Sequence, residues 1–254
     1  MSKFDKILLC SDLDGTLRNS KGEISKENIR AINYFKENGG LFTLCTGRNY
    51  RYAQELEKEG LFVNTVFIAL NGAVIYDGKS GKMLYENPMN REKLGDIEKF
   101  TYENKSYLEN ITVHSEESFD SFEYLTEDRK LYKIVFTTRN TDATKIFKKK
   151  LKERYSDQDF FITTSWPTGI EILDGKSTKG ECVKIIKNYI DTEIEKIVCV
   201  GDFENDITML KEADISYAVE NAIQPVKDAA DYVTVSNDEN ALAKIISDLE
   251  KNIC

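Results

Sequence analysis

The chain has 254 residues, of which 41% are hydrophobic and 31% charged, which is typical of a folded protein with a sizeable apolar core and not of a disordered chain. Its 35 Lys and Arg against 44 Asp and Glu give a formal net charge of −9, so a nucleic acid would meet net repulsion. The single histidine, His114, excludes zinc sites with several histidines and disfavours a Ser/His/Asp triad, which leaves carboxylates, lysines, threonines and backbone amides for catalysis.

The first 70 residues alternate between apolar strands and amphipathic helices. Residues 7–10 are continuously apolar, as expected of a strand buried in a parallel sheet. Ser25 is a suitable N-cap for a helix over residues 26–37, and Gly39 can end that helix in the left-handed conformation. A strand over 41–45, a helix over 50–59 and a strand over 65–70 complete a predicted β-α-β-α-β unit.

The alternation changes after residue 72. Residues 73–85 predict a hairpin around the turn at 77–81, and few strands of the parallel type follow in the next ninety or so residues. This composition predicts an inserted α+β domain. Its predicted elements are helices near 91–104 and 141–154 and strands near 108–113, 131–137 and 160–164.

The α/β pattern resumes after the insertion. The predicted elements are a helix over 178–190, a strand over 197–200, a helix over 204–211, a strand over 215–219 and a helix over 239–250. We therefore predict an α/β fold: a Rossmann-like open parallel sheet formed by residues 1–80 and 175–254, with an α+β domain inserted at residues 81–174.

The five cysteines, at positions 10, 45, 182, 199 and 254, show no pairing pattern, and three of them lie inside apolar runs. This predicts reduced core thiols and a cytoplasmic location. The apolar run before Cys10 is too short for a signal peptide, and no stretch approaches the length of a membrane span. We expect neither export nor membrane binding, and the sequence leaves the oligomeric state open.

Four polar clusters follow predicted strands or begin predicted helices. They are residues 12–16, 46–48, 179–180 and 201–206, with the sequences DLDGT, TGR, KG and GDFEND. The carboxyl ends of parallel strands meet at one edge of an open sheet, and ligands bind there. We therefore expect the four clusters to converge.

Carboxylates dominate the first and last clusters. Asp12 and Asp14 are two residues apart at a strand end and can face the same way, so one can bind a metal while the other transfers a proton. Gly15 permits the tight turn that this needs. Asp202 adds a third carboxylate, and an all-oxygen set favours Mg²⁺ over zinc or copper. Alone, an Asp-x-Asp pair is more often part of a solvated turn.

The other clusters supply donors. The Thr46 hydroxyl and the Gly47 amide suit phosphate oxygens, and Lys179 can place an ammonium on a phosphoryl group. Taken singly, these residues are as well explained by a plain turn and a surface lysine. Arg48 can bind a substrate anion or pair with a core carboxylate, and Asn71 can line the leaving-group side or cap a turn.

The order, spacing and strand placement of the clusters resemble the haloacid dehalogenase superfamily of phosphotransferases, and more narrowly its Cof-like type IIB phosphatases. Residues 12–16 match the first motif of that superfamily, Thr46 the second, Lys179 the third and residues 201–206 the fourth. The resemblance covers nearly the whole chain, and the insertion corresponds to the family's larger α+β cap domain, type C2.

The resemblance implies a mechanism. Asp12 would attack phosphorus to form an aspartyl-phosphate, and Asp14 would protonate the leaving oxygen and then activate water. Mg²⁺ would be held by Asp12, the main-chain carbonyl of Asp14 and Asp202, while Thr46 and Lys179 neutralise phosphate oxygens. The remaining assignments are Gly47, Arg48, Asn71 and Asn205 to substrate binding, and Asn205 and Asp206 to orienting groups at the site.

The sequence departs from the family's pattern at three places. Arg18 and Asn19 follow the first motif where the family more usually has an apolar and then a polar residue. Glu220 replaces a frequent glycine, and the direction of its side chain is not predicted. Residues 240–241 replace a glycine-containing segment near the final helix.

We therefore expect a cytoplasmic, Mg²⁺-dependent phosphatase of a small phosphorylated metabolite, for example a sugar phosphate, with specificity set by the cap. A phosphomutase of the same superfamily is one alternative, because it uses the same covalent intermediate. A phospho-aspartate signalling module is another, since receiver domains combine acidic residues, Mg²⁺, a hydroxyl and a lysine. Chain length argues against it, because a receiver needs about half as many residues.

Overall fold

The structure is a computed structural model that describes residues 2–115, 118–119, 121–122 and 129–253. The helices are α1 (Lys26–Glu37), α2 (Ala53–Lys58), α3 (Leu94–Glu103), α4 (Thr141–Arg154), α5 (Lys179–Ile185), α6 (Ile207–Glu212), α7 (Gln224–Ala229) and α8 (Ala241–Ile253). The strands are β1 (Ile7–Ser11), β2 (Leu41–Leu44), β3 (Phe67–Ala69), β4 (Val74–Asp77), β5 (Lys82–Glu86), β6 (Leu108–His114), β7 (Ser118–Phe119), β8 (Lys133–Thr138), β9 (Phe160–Trp166), β10 (Gly169–Asp174), β11 (Lys196–Gly201), β12 (Ile215–Ala218) and β13 (Tyr232–Val233). None of the helices within these ranges has the length and apolar character needed to cross a bilayer.

The chain divides into two compact units. The first comprises Met1–Tyr85 and Lys179–Cys254, and the second comprises Glu86–Thr178. The boundaries expected from the sequence, 80/81 and 174/175, fall a few residues earlier. The difference at the first boundary arises because β5 pairs with β4 in the sheet of the first unit.

A five-stranded parallel sheet in the order β13-β12-β11-β1-β2 forms the centre of the first unit. This confirms the predicted α/β class with a parallel sheet. Ser11 on β1 lies beside Val200 on β11 and Leu44 on β2. The residues that follow these three strands therefore leave the sheet at the same edge.

Helix α1 shows how local sequence sets an element's bounds. The Ser25 Oγ accepts a hydrogen bond from the Asn28 N–H at the helix start, and Gly39 adopts a φ of +93° just beyond its end. Ile32 and Phe35 are fully buried on its inner face. Both ends agree with the sequence prediction because they depend only on neighbouring residues.

Strand β3 differs from the prediction. It is shorter than residues 65–70, and it lies in a separate three-stranded sheet with β4 and β5. A single parallel bridge, from Cys45 to Ile68, connects it to the segment after β2. The chain turns sharply after β3 because Leu70, Asn71 and Gly72 all have positive φ angles, of 50°, 54° and 96°.

The second unit has a five-stranded antiparallel sheet in the order β7-β6-β8-β10-β9. Helix α4 has the bounds predicted from the sequence, and its Phe147 and Leu151 join a buried apolar cluster with Phe136 and Ile170 of the sheet. Strand β10 was not predicted. It follows β9 directly and pairs with it antiparallel, and its other edge pairs with β8, from which helix α4 and β9 separate it in sequence.

Four cysteines fall within the described residues, at positions 10, 45, 182 and 199, and all four are buried free thiols. Burial raises the pKa of the Cys182 thiol to about 12 and also raises that of Cys45, so these groups stay protonated and unreactive. Cys254 lies outside the described residues.

A buried ion pair joins two strands of the second unit. The Lys133 Nζ on β8 lies 3.1 Å from the Glu171 Oε1 on β10, and both residues are nearly inaccessible to solvent. His114 on β6 is in register with Lys133. Burial and the Lys133 charge lower the pKa of His114 to about 3, so this imidazole is neutral near pH 7.

Removing one partner of this pair should destabilise the protein. We expect Glu171→Leu to lower the free energy of unfolding by about 3–5 kcal/mol, because it removes the Glu171 carboxylate from the buried Lys133 ammonium. The double variant Lys133→Met/Glu171→Leu should recover most of the loss. Urea unfolding of the full chain measures both changes.

The matched control is Glu153→Leu, which removes an exposed Lys149–Glu153 pair at 3.8 Å. It should leave the free energy of unfolding nearly unchanged, since water screens such pairs. A double variant as unstable as Glu171→Leu would contradict the interpretation.

Candidate active site

The centre of the site is a buried lysine between two carboxylates. Lys179 is the first residue of α5 and is fully buried. Its Nζ donates to the Asp12 Oδ1 at 2.5 Å and to the Asp206 Oδ1 at 2.6 Å. Asp12 follows β1, and its N–H donates to the Val200 carbonyl of β11 at 3.0 Å, so the two central strands hold its backbone.

These groups carry more negative charge than one lysine neutralises. Burial lowers the pKa of Lys179, but the charges of Asp12 and Asp206 outweigh burial and raise it above its usual value. Burial raises the pKa of Asp12 well above its usual value; Lys179 opposes this shift, and Asp206 and Asp202 add to it. Burial and Asp206 likewise raise the pKa of Asp202 to about 7. A further cation would relieve this crowding.

Both carboxylate oxygens of Asp206 are already engaged. The Oδ1 accepts from Lys179, and the Oδ2 accepts from the N–H groups of Asp202 and Phe203 at 2.9 and 3.0 Å. Gly201 leaves room for the Asp206 side chain, because a Cβ at position 201 would lie 2.4 Å from the Asp206 Cβ. Asp206 therefore fixes both the lysine and the loop after β11.

The Asp202 carboxylate is held from the loop after β1. The Thr16 Oγ1 donates to the Asp202 Oδ1 at 2.8 Å. Gly15, with a φ of +87°, faces the other oxygen, and a Cβ there would lie 2.4 Å from the Asp202 Oδ2. Asn221 donates to the Gly15 carbonyl at 2.8 Å. No role was predicted for Thr16 from the sequence, although its position in the cluster at residues 12–16 could have indicated one.

Asp12, Asp202 and Asp206 form a cluster that could hold a metal ion, since one oxygen of each lies within 4.8 Å of the others. The predicted metal set of Asp12, Asp14 and Asp202 shares two of these residues. The third predicted ligand, Asp14, was expected to bind the metal through its main-chain carbonyl. Its carboxylate contacts Arg48. The donor set is entirely oxygen, which suits Mg²⁺.

Asp14 and Arg48 form a bidentate ion pair. The Arg48 Nε lies 2.8 Å from one carboxylate oxygen, and its Nη2 lies 2.9 Å from the other. The hydrogen bond to Asp14 raises the pKa of Arg48. Both side chains are about half exposed. Of the two roles considered for Arg48, this structure shows the pairing with a carboxylate.

Thr46 connects this pair to two asparagines. Its Oγ1 accepts from the Arg48 N–H at 3.1 Å, and its carbonyl accepts from the Asn71 N–H at 2.9 Å. The Asn205 Nδ2 donates to the Asn71 Oδ1 at 3.1 Å. Gly47 lies against the same carboxamide, because a Cβ there would approach the Asn71 Oδ1 to 3.2 Å.

Two features of the asparagine pair are typical of binding sites. Asn71 has a φ of 54° in the left-handed region, a strained conformation that is often found at functional sites. The Asn205 Oδ1 is buried without a hydrogen-bond partner in the described part of the chain. It is thus an acceptor suited to a bound donor such as a hydroxyl group.

Glu220 lies elsewhere. Its side chain is exposed and lines a groove of about 840 Å³ with Tyr217, Tyr232 and Lys244. The structure thus gives the direction that the sequence did not, and it gives no reason to include Glu220 in the site.

Comparisons with known proteins identify the family of this chain. The family model for haloacid dehalogenase-like hydrolases matches residues 9–123 and 107–246. The 5-amino-6-(5-phospho-D-ribitylamino)uracil phosphatase YcsE of Bacillus subtilis (strain 168) is 30% identical, over 94% of each chain. Phosphatase YwpJ of the same organism is 27% identical, over 95% of this chain and 99% of the relative.

Solved structures give the same result for the fold. A haloacid dehalogenase-like hydrolase from B. subtilis superposes with a TM-score of 0.83 at 24% identity, over 94% of this chain and 98% of the other. The subclass IIB sugar phosphatase BT4131 superposes with a TM-score of 0.77 at 21% identity, over 97% and 99%. The predicted resemblance to the Cof-like type IIB phosphatases is confirmed, and the chain belongs to the haloacid dehalogenase-like hydrolases, as a phosphatase.

Proposed function

We propose that the protein is a Mg²⁺-dependent phosphatase that hydrolyses small phosphomonoesters through an aspartyl-phosphate on Asp12. The observation that carries this proposal is the placement of the Asp12 carboxylate, which follows β1, contacts the buried Lys179 and has an oxygen within 4.8 Å of an Asp202 oxygen. Lys179 gives an incoming phosphate a positive charge beside the nucleophile.

The residues present fit Mg²⁺. The Asp12 and Asp202 carboxylates and the Asp14 main-chain carbonyl would hold it, whereas both oxygens of Asp206 are engaged by Lys179 and backbone amides. Burial and the neighbouring carboxylates raise the pKa of Asp12 and Asp202, and a positive charge beside these groups would oppose both effects. When bound, Mg²⁺ supplies that charge and lowers the repulsion between a carboxylate nucleophile and an anionic substrate.

The protein's own groups then perform two transfers. An Asp12 oxygen attacks phosphorus, the bond from phosphorus to the leaving oxygen breaks, and Asp14 donates a proton to that oxygen. In the second transfer Asp14 takes a proton from water, whose oxygen attacks phosphorus. The bond from Asp12 to phosphorus breaks, which releases inorganic phosphate, returns Asp12 to the carboxylate and leaves Asp14 protonated for the next cycle.

Other residues bind the phosphate and the leaving group. We assign Lys179 and the Thr46 hydroxyl to the phosphate oxygens, together with the Gly47 amide. Asn71 and Asn205 are assigned to the remainder of the substrate, whereas Arg48 is paired with the Asp14 carboxylate. The unpartnered Asn205 Oδ1 supports this role, since it can accept a hydrogen bond from a hydroxyl.

The proposed substrate is a small phosphorylated metabolite, for example a sugar phosphate, and the proposed location is the cytoplasm. YcsE is named for a small phosphorylated metabolite, which supports this class, and BT4131 is named a sugar phosphatase. The net charge of −9 disfavours nucleic acid as substrate. We assign the choice among small substrates to the inserted second unit.

Asp12→Asn should abolish turnover. Asparagine preserves the size of the side chain but cannot act as the nucleophile, so we expect kcat for p-nitrophenyl phosphate with Mg²⁺ to fall about a thousandfold or more. Release of inorganic phosphate measures the reaction and distinguishes hydrolysis from isomerisation of a sugar phosphate. Asp5→Asn, at an exposed carboxylate, is the control, and undiminished turnover in Asp12→Asn would refute the proposal.

Gly15→Ala should weaken Mg²⁺ binding, because its Cβ would displace the Asp202 carboxylate. We expect the Kd measured by isothermal titration calorimetry to rise about tenfold or more. Gly22→Ala is a matched control, since Gly22 has a similar φ of +77° but nothing within 4 Å of the added methyl. Equal Mg²⁺ affinities of the two variants would count against Asp202 as a ligand.

A further inference from the structure

Arg18 is a buried arginine that ordinary packing does not explain. Its side chain is 9% exposed, and its guanidinium donates to the Tyr52 hydroxyl at 2.7 Å, to the Glu59 Oε1 at 2.6 Å and to the Gly22 carbonyl. Its Nε has no hydrogen-bond partner among the described residues. A buried guanidinium with an unpaired N–H is costly compared with an apolar side chain of similar size.

Tyr52 connects Arg18 to the site. Its ring centroid lies 5.8 Å from the Arg18 guanidinium carbon and 5.0 Å from that of Arg48, both within range of a cation–π interaction. Arg48 in turn holds both carboxylate oxygens of Asp14. The contacts therefore run without a break from Glu59 through Arg18, Tyr52 and Arg48 to Asp14.

The Arg48–Asp14 pair needs support from this chain of contacts. Its side chains are 49% and 48% exposed, and ion pairs this exposed are weak because water screens them. Alone, the pair would not fix the carboxylate in one orientation. The Tyr52 ring gives Arg48 a second contact, and Arg18, which is buried, holds that ring in place.

Arg18 and Asp14 belong to the same loop. The Arg18 N–H donates to the Leu13 carbonyl at 2.8 Å, and the Arg18 carbonyl accepts from the Asn237 Nδ2 at 2.9 Å. Tyr52 and Arg48 belong to the segment after β2. The chain of contacts thus fastens the two loops to each other on either side of the Asp14 carboxylate.

We propose that Arg18, Tyr52 and Arg48 are positioning residues that orient the Asp14 carboxylate for proton transfer to the leaving oxygen. This inference rests on the proposed role of Asp14 as acid and base. Each carboxylate oxygen has more than one acceptor position, so Asp14 can face the substrate while Arg48 holds it.

The leaving group decides how much a substrate depends on Asp14. An alkoxide leaving group must receive a proton as its bond to phosphorus breaks, whereas nitrophenolate leaves without one. Because kcat/KM reports the first phosphoryl transfer, a misoriented Asp14 slows the attack on an alkyl phosphate and spares that on p-nitrophenyl phosphate. General destabilisation of the fold would slow both.

The test measures kcat/KM of Arg18→Met and Tyr52→Leu with glucose 6-phosphate and with p-nitrophenyl phosphate, both in the presence of Mg²⁺. We expect about a tenfold or greater loss for glucose 6-phosphate, against a change within about twofold for p-nitrophenyl phosphate. Tyr52→Phe keeps the ring beneath Arg48 and should retain more activity towards glucose 6-phosphate than Tyr52→Leu. If Arg18→Met does not fold, the Tyr52 variants decide the question.

Two controls separate the possible failures. Asp14→Asn should show the same selectivity with a larger loss, and Phe35→Leu, on the buried face of α1, should affect both substrates equally. Equal losses for the two substrates in Arg18→Met and Tyr52→Leu, or no loss, would overturn the positioning role alone. Undiminished turnover in Asp12→Asn would instead overturn the proposed function.

Discussion

Crowding of negative charge around one buried lysine determines the chemistry of this protein. Asp12, Asp202 and Asp206 each place an oxygen within 4.8 Å of the others, and Lys179 supplies the ammonium that contacts two of them. Burial deprives these carboxylates of hydration, and they also repel one another, which together raise the pKa of Asp12 and Asp202. Such a cluster favours binding of a cation, and a bound cation in turn attracts an anionic substrate. This preference underlies the proposed phosphoryl transfer.

The parallel sheet makes this crowding possible. Strands β1 and β11 are adjacent and in register, so Asp12 and Asp202 leave the sheet side by side. Glycines then allow the close approach: Gly15 lies against the Asp202 carboxylate, and Gly201 lies against Asp206. The stability of the sheet therefore holds the carboxylates together against their mutual repulsion, a cost that functional sites commonly carry.

The local part of this architecture was predictable from the sequence. Continuous apolar runs identify the central strands, and Ser25 and Gly39 set the bounds of α1, because these signals involve neighbouring residues. The clusters that contain Asp12, Thr46, Lys179 and Asp202 were recognisable because strand ends converge in any open parallel sheet.

The remainder depends on contacts between distant residues. The Arg48–Asp14 pair joins loops 34 positions apart, and the sequence left Arg48 with two equal roles. Nothing in the sequence indicated a role for Tyr52, since its proposed positioning role depends on its contact with Arg18. Strand β3 also left the predicted sheet, because the left-handed turn beginning at Leu70 redirects the chain into a hairpin.

Direct detection of the covalent intermediate is the most direct test of the central claim, that Asp12 is the nucleophile. The Asp14→Asn variant should accumulate the intermediate, because hydrolysis then lacks its base. After acid quenching with p-nitrophenyl phosphate and Mg²⁺, peptide mass spectrometry should find one phosphoryl group, on Asp12. A phosphoryl group on another residue, or none despite release of nitrophenol, would contradict the account.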